Sequence, residues 1–324
     1  MTVLITGGTG FLGSYLTRYA LLKGGQDRVV VLDRYVDRGR IADVLDRVTV
    51  IEGDVSDTDT VRSTIKEHGI DSVGHFAFIL GSPKPGQMIN YVKVQALGTA
   101  NVFECARAAG VRRVLFASSV AAYGEQHHAP LIEDLVPNPK NLYGSAKAWG
   151  EGLADHYTQN LGLQVVTVRF GSTYGLGRAW RGSYSSGLLQ VPDQTHYMAR
   201  VEDAVRGKPI TMPRNDAMAD WTYAADAAQA AWLALTTPHL PHHLYNVGAE
   251  RLPVGNYTRA MLELLPDAQI TVSDTETPGN AHAPMDATRL RDDLGFAPEY
   301  SLRRGLADYI ERIRISDRYA REHG

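Results

Sequence analysis

Cysteine is nearly absent from this 324-residue chain, Cys105 being the only one. An intramolecular disulfide is thereby excluded, and the usage fits a reducing, cytoplasmic compartment. Cys105 falls in an expected helix over residues 90–109, where a buried, inert thiol is the expectation. No apolar run approaches the ~20 residues that a membrane span needs. The first strand is expected from residue 2, which leaves no room for a targeting peptide before it. Charge of one sign is also scarce: the formal balance is −3, without the basic footprint of nucleic-acid or anionic-membrane binding. Metal-ligand spacing is missing too, since His127-His128 and His242-His243 are adjacent pairs whose rings diverge. No metal site is expected.

What the chain does have is alternation. Short apolar runs at 2–6, 28–33, 48–52, 73–76, 113–118 and 164–169 are separated by helical patterns at 11–23, 60–68, 90–109 and 143–161. Continuous runs of this length predict a parallel sheet covered on both faces. The expected class is therefore α/β, a doubly wound Rossmann fold with ligands outside the carboxyl ends of the strands. After about residue 170 the alternation fades. Residues 171–200, rich in Gly, Ser and aromatics, read as one long functional loop. Strands are then expected at 210–212, 221–223 and 244–246, and helices at 201–207, 226–236, 256–265, 287–294 and 302–314. The expected division is a dinucleotide-binding part, 1–170, and a smaller, mainly substrate-binding α/β part, 171–324. Segments 220–236 and 244–247 are the pieces of the second part placed to pack back onto the first.

The first strand runs into Gly7-Gly-Thr-Gly-Phe-Leu-Gly13. In such a turn Gly7 allows the tight exit from the strand, Gly10 admits a pyrophosphate to the backbone, and Gly13 lets the helix pack closely on the sheet. The N–H groups at the helix start, around Phe11 and Leu12, then hold the phosphates. Asp33 ends the second strand, where a carboxylate accepts from the adenosine ribose hydroxyls and favours NAD. Arg34, with Arg38 and Arg40 behind it, keeps NADP open, because an arginine there can meet the 2′-phosphate. Asp54 and Val55 are placed near the adenine, with Asp54 equally readable as a helix cap before Ser56.

Tyr143-Gly-Ser-Ala-Lys147 puts a phenol and an ammonium on one helix face. A phenol with pKa near ~10 needs a neighbouring cation to act as a base at neutral pH. Tyr143 could then take a proton from a substrate hydroxyl as hydride leaves the same carbon. Spacing alone does not single this pair out, since Tyr19 and Lys23 have the same step on the first helix. Location does: Tyr143 follows the fifth strand, and Lys147 is one of only seven lysines. Ser118 and Ser119 close that strand, where a hydroxyl can hydrogen-bond a reacting oxygen.

Together these residues resemble the extended short-chain dehydrogenase/reductase superfamily, in the style of nucleotide-sugar epimerases and dehydratases. The matching pieces run from the glycine turn through Gly53-Asp54-Val55, His75-Phe76-Ala77, Ser118-Ser119 with Tyr123-Gly124, Tyr143 with Lys147, and Arg169 with Tyr174-Gly175. They continue through Asp220-Trp221-Thr222-Tyr223, Tyr245-Asn246-Val247-Gly248 and Leu294-Gly295-Phe296. The resemblance implies Ser119, Tyr143 and Lys147 as the catalytic set, Phe76 and Ala77 beside the cofactor, and homodimerisation through the helices near 90–109 and 143–161. It also exposes departures. Val120 and Ala121 stand where dehydratases carry Asp-Glu. Ser172 replaces an Asn, Ala219 replaces a diphosphate-binding Arg, and Gln95 replaces an Asn. Arg178, Arg181 or Arg214 could supply phosphate contacts instead, and Trp180, Tyr184, Tyr197 and Met198 could line a substrate pocket.

The reaction expected is NAD(P)-dependent hydride transfer at a secondary alcohol or ketone carbon of a sugar-type substrate. A nucleotide-sugar epimerase is favoured over a net dehydrogenase or reductase acting on a non-nucleotide sugar, uronate or small ketone. A silent NAD(P)-sensing regulator is the third reading. The partner in each case is a small molecule, not nucleic acid or membrane.

Overall fold

Because the strand residues are apolar on both sides of the chain, each strand must be covered from above and below. In a computed structural model of the chain, which describes residues 1–80, 82–83, 85–124, 130–178, 189–190, 197–273 and 283–323, this is the arrangement found. In chain order the strands are β1 Val3–Thr6, β2 Val29–Asp33, β3 Val48–Glu52, β4 Ser72–His75, β5 Ser82–Pro83, β6 Arg113–Ser119 and β7 Gln164–Phe170. They continue with β8 Thr173–Tyr174, β9 Leu189–Gln190, β10 Ile210–Pro213, β11 Met218–Tyr223, β12 Leu244–Val247, β13 Glu250–Pro253 and β14 Ile270–Ser273. Seven of them form one parallel sheet in the order β12-β7-β6-β4-β1-β2-β3. The fold is a doubly wound α/β sheet.

Alternate strand residues feed two cores. Val3 and Ile5 point to the face covered by α1 (Phe11–Leu22) and the alanine-rich α7 (Ala224–Thr236). Leu4, Val30 and Val73 point to the face covered by α2 (Thr58–Glu67), α4 (Thr99–Ala108) and α5 (Leu142–Asn160). The order of the strands reverses between β1 and β4, which run parallel with Thr6 opposite His75, and this opens a crevice at their carboxyl ends.

The expected helix at 90–109 is composite: α3 (Met88–Val92), a π-type turn over Lys93–Gly98, then α4. Gln95 in that turn clamps the Ile79 backbone at both its N–H (3.0 Å) and its carbonyl (2.9 Å).

The second half contains α6 (Arg200–Val205), α8 (Val254–Leu264), α9 (Thr288–Leu294) and α10 (Leu302–His323). Here the expectations need correction. Residues 171–200 are not one unstructured loop: β8 pairs with β11, β9 pairs with β5, and α6 begins at Arg200. Residues 38–47, to which the sequence assigned no element, are consecutive 3-10 turns packed beside α10. α10 runs nine residues past the expected end at 314. Its apolar periodicity stops near Ile313, and beyond it Arg206–Asp317 pairing (2.9 Å) and a Tyr319–His323 stack hold a solvated extension. Strand β12 completes the main sheet from the second half. Among the described residues no helix is long and apolar enough to cross a membrane.

Candidate active site

One pocket over the β1/β4 crevice collects the glycine turn at one end and the Tyr143 helix at the other. Gly7 has φ +68°, outside the range of most side chains, and a Cβ on Gly13 would lie 2.0 Å from the Gly7 carbonyl oxygen. This closeness seats the α1 start on the turn. Gly10 is the N-cap, with no side-chain cap and no acidic residue in the first turn. The N–H groups of Phe11, Leu12 and Gly13 therefore lack an intrahelical acceptor, and their residues line the pocket. An uncapped helix start with backbone open on one side fits the phosphates of a dinucleotide.

Asp33 lines the same end. Its Oδ2 accepts from the Thr9 N–H at 3.0 Å and the Thr9 hydroxyl at 2.7 Å, and its Oδ1 from the Tyr35 N–H at 3.3 Å. Burial raises its pKa, and these donors oppose the rise. Arg34 and Arg40 also line the pocket, but each is paired with a carboxylate: Arg34 with Asp54 at 2.5 Å and Arg40 with Asp37 at 3.0 Å. Asp54 accepts in addition from the Ser56 N–H at 2.8 Å, while the cap of α2 is Asp57. Val55, Phe76 and Ala77 complete this wall.

At the other end β6 stops at Ser119 and α5 starts beyond it. Gly144 makes the approach possible, since a Cβ there would sit 2.3 Å from the Ala121 carbonyl oxygen. Tyr143, Lys147, Ser118 and Ser119 thus share one wall. Burial pushes the Tyr143 phenol up to about 12, against a hydrogen bond from Ser119 and the charge of Arg178. Lys147 is 2% exposed; its Nζ donates to the Ala117 carbonyl at 2.5 Å and lies 3.0 Å from the Phe78 ring centroid. Burial depresses its pKa well below the usual lysine value, and Glu151, one turn along α5, opposes that. By contrast Lys23 pairs with Glu299 at 2.5 Å, away from this pocket.

Behind the wall lies a buried polar network. Ser118 donates to Glu151 Oε1 at 2.5 Å, and Glu151 holds Arg169 in a bidentate pair at 2.9 and 2.6 Å. Arg169 stacks over Tyr123 at 4.2 Å, whose hydroxyl donates to Asn246 at 2.9 Å. The Asn246 N–H in turn donates to Glu133 at 2.8 Å.

Ser172 and Arg178 enter the pocket from the segment after β7. Arg178 lies 5.8 Å from the Phe11 ring and has no carboxylate partner among the described residues. Arg181, Tyr184, Trp180 and the His127-His128 pair lie outside the described residues. Tyr197 and Met198 are corrected: both are buried in the core, where the Tyr257 hydroxyl donates to the Met198 carbonyl. Arg214 is exposed and off the pocket. Sequence reasoning missed Thr9, which orients Asp33, and Phe78, which floors Lys147. For Thr9 the only signal was a hydroxyl inside the glycine turn.

Residues 3–248 match the sequence model of the NAD dependent epimerase/dehydratase family. Among curated relatives, a UDP-glucose 4-epimerase of Azospirillum brasilense is 26% identical over 94% of this chain and 89% of its own length. UDP-glucuronate 4-epimerase 1 of Arabidopsis thaliana is 27% identical over 96% of this chain and 76% of its own. Among solved structures, the UDP-glucose 4-epimerase of Thermus thermophilus in complex with NAD superposes with a TM-score of 0.77 at 27% identity, covering 97% of this chain and 99% of that one. With more than half of its length matched, the chain belongs to the NAD-dependent epimerase/dehydratase family.

Proposed function

We propose that this protein epimerises a nucleotide sugar by reversible oxidation at a secondary alcohol carbon, with NAD as cofactor. The observation that carries the reading is the meeting of the glycine turn with Ser119, Tyr143 and Lys147 in one pocket. Bound NAD would take up and return the hydride. The chain supplies the rest. Tyr143 removes the hydroxyl proton and later gives it back, Ser119 hydrogen-bonds the reacting oxygen, and Lys147 provides charge behind the phenol. Asp33, held by Thr9, accepts from the cofactor ribose; the prior engagement of Arg34 and Arg40 by carboxylates favours NAD over NADP. Ser172 and Arg178 contact the substrate, Arg178 through an anionic group. Val120 and Ala121 give no carboxylate pair for water elimination, so dehydration is not part of this reading.

Residues 1–170 then act as the cofactor half and 171–324 mainly as the substrate half, in a reducing, cytoplasmic setting suited to one buried thiol. The protein loaded with NAD is expected to convert UDP-glucose or UDP-glucuronate to the 4-epimer without build-up of the reduced-nicotinamide absorbance band. Growth of that band in step with substrate loss would assign net dehydrogenation instead. Inertness toward UDP-sugars would remove the nucleotide-sugar reading.

A homodimer through the composite helix near 90–109, formed by α3, the π-type turn and α4, and through α5 near 143–161 is part of the same proposal. Leu97 in the π-type turn and Trp149 on α5 are both 45% exposed, with Met88, Ile89 and Val92 exposed on the same continuous helix. Trp149→Asp is expected to sediment as a monomer at micromolar concentration while the wild type sediments as a dimer. A monomeric wild type would refute this.

A further inference from the structure

The segment that carries Arg178 is held from the far side by the C-terminal helix. Two consecutive N–H groups just before it donate to side chains: Leu176 to the Tyr15 hydroxyl at 2.9 Å and Gly177 to Glu202 Oε1 at 3.4 Å. Neither acceptor stands alone. The Tyr223 hydroxyl donates to Asp308 Oδ2 at 2.5 Å, so its single proton is committed. Tyr15, whose hydroxyl is 3.3 Å from that of Tyr223, must then be the donor between them, which leaves its lone pairs for Leu176. The result is a chain polarised in one direction, from the Leu176 N–H to the Asp308 carboxylate. A second relay runs beside it. The Tyr309 hydroxyl donates to Glu202 Oε1 at 3.1 Å, and Arg206 links Glu202 (3.3 Å) to Asp317 (2.9 Å). Asp308, Tyr309 and Asp317 all belong to α10, which lies beyond the family-matched residues 3–248.

The three tyrosines are shielded from water, Tyr15, Tyr223 and Tyr309 each being less than 5% exposed, whereas the Arg206–Asp317 link lies at the surface. The backbone is also shaped for them. Gly175 has φ +150°, and a Cβ there would lie 2.7 Å from the Tyr15 hydroxyl, closing the approach to Leu176.

We propose that α10 is a specificity-determining element, whose two hydroxyl–carboxylate relays fix where Arg178 presents its guanidinium to an anionic group of the substrate. Tyr15, Tyr223, Glu202, Asp308 and Tyr309 are positioning residues in this account. It rests on the reading of Arg178 as a substrate contact. The anion is either the diphosphate or a carboxylate on the sugar, since both ask for the same charge-assisted donors. Deleting one relay hydroxyl leaves a buried group without its partner and lets the segment relax.

The test is calorimetric titration of UDP, UDP-glucose and UDP-glucuronate into the full-length NAD-loaded protein. Tyr309→Phe and Tyr15→Phe are each expected to weaken binding about fivefold for the ligands that Arg178→Met weakens, with NAD affinity unchanged. In the Arg178→Met background Tyr309→Phe should cost nothing further. Equal losses for all three ligands place the anion at the diphosphate, and losses confined to UDP-glucuronate place it at the sugar carboxylate. An undiminished Tyr309→Phe loss in the Arg178→Met background, or an equal fall in NAD affinity, would overturn the relay while leaving the Arg178 contact standing. Unchanged affinities in Arg178→Met itself would overturn both. Should Tyr15→Phe fail to fold, Tyr309→Phe alone decides.

Discussion

Tyr143→Phe is expected to lower turnover of the nucleotide sugar by about 10²–10⁴-fold and to leave NAD bound. The substitution removes one hydroxyl and keeps the ring, which sits edge-on to Phe78 with centroids 6.5 Å apart. The glycine turn, at the other end of the pocket, is untouched. The size of the loss follows from how hard the proton is to move. Burial pushes this phenol up to about 12, so at neutral pH it is held protonated. The phenolate must be stabilised where it forms. Ser119 and Arg178 both act in that direction, and Lys147 Nζ stands 5.5 Å from the ring centroid. Since the base works in its ionised form and its pKa is raised, the oxidation rate should climb with pH through the neutral and alkaline range. Arg178→Met should carry that limb further toward alkaline pH. Turnover across about pH 6–10 checks both statements. Retention of pH-dependent turnover within tenfold of wild type in Tyr143→Phe would end the assignment of Tyr143 as the base.

The parts of this molecule that the sequence disclosed are those set by neighbours in the chain. Apolar run length gave the parallel strands, and the four-residue step put Tyr143 and Lys147 on one face of α5. The tight turn at Gly7 was readable because few side chains tolerate its φ of +68°. What stayed hidden depends on contacts made across long stretches of chain. Thr9 orients Asp33 from 24 positions away, and the ring beneath Lys147 comes from Phe78 on another element. The late helix illustrates the same limit from another side. Beyond Ile313 its sequence no longer repeats apolar residues, so periodicity ends while the helix continues on ion pairs and stacking. Residues 171–178 read as loop because β8 is two residues long and exists only through pairing with β11.

Arg169→Met carries the largest expected effect on stability, a loss of about 3–5 kcal/mol in chemical denaturation. Arg169 is 2% exposed and Glu151 7%, so neither charge is solvated by water. Methionine fills the stem of the arginine but leaves the Glu151 carboxylate with the Ser118 hydroxyl as its remaining close donor. Glu151 and Lys147 share α5, and Ser118 ends the strand whose Ala117 carbonyl receives Lys147 Nζ at 2.5 Å. An uncompensated carboxylate at this point would therefore be felt in the wall of the pocket as well as in the core. Pairing the change with Glu151→Leu removes the stranded charge, and the double variant should recover more than half of the loss, because an ion pair in a dry interior gains little over apolar packing. If Arg169→Met cost less than about 1 kcal/mol, the value of an exposed pair, the network would be ornament to the fold rather than the support of the pocket wall.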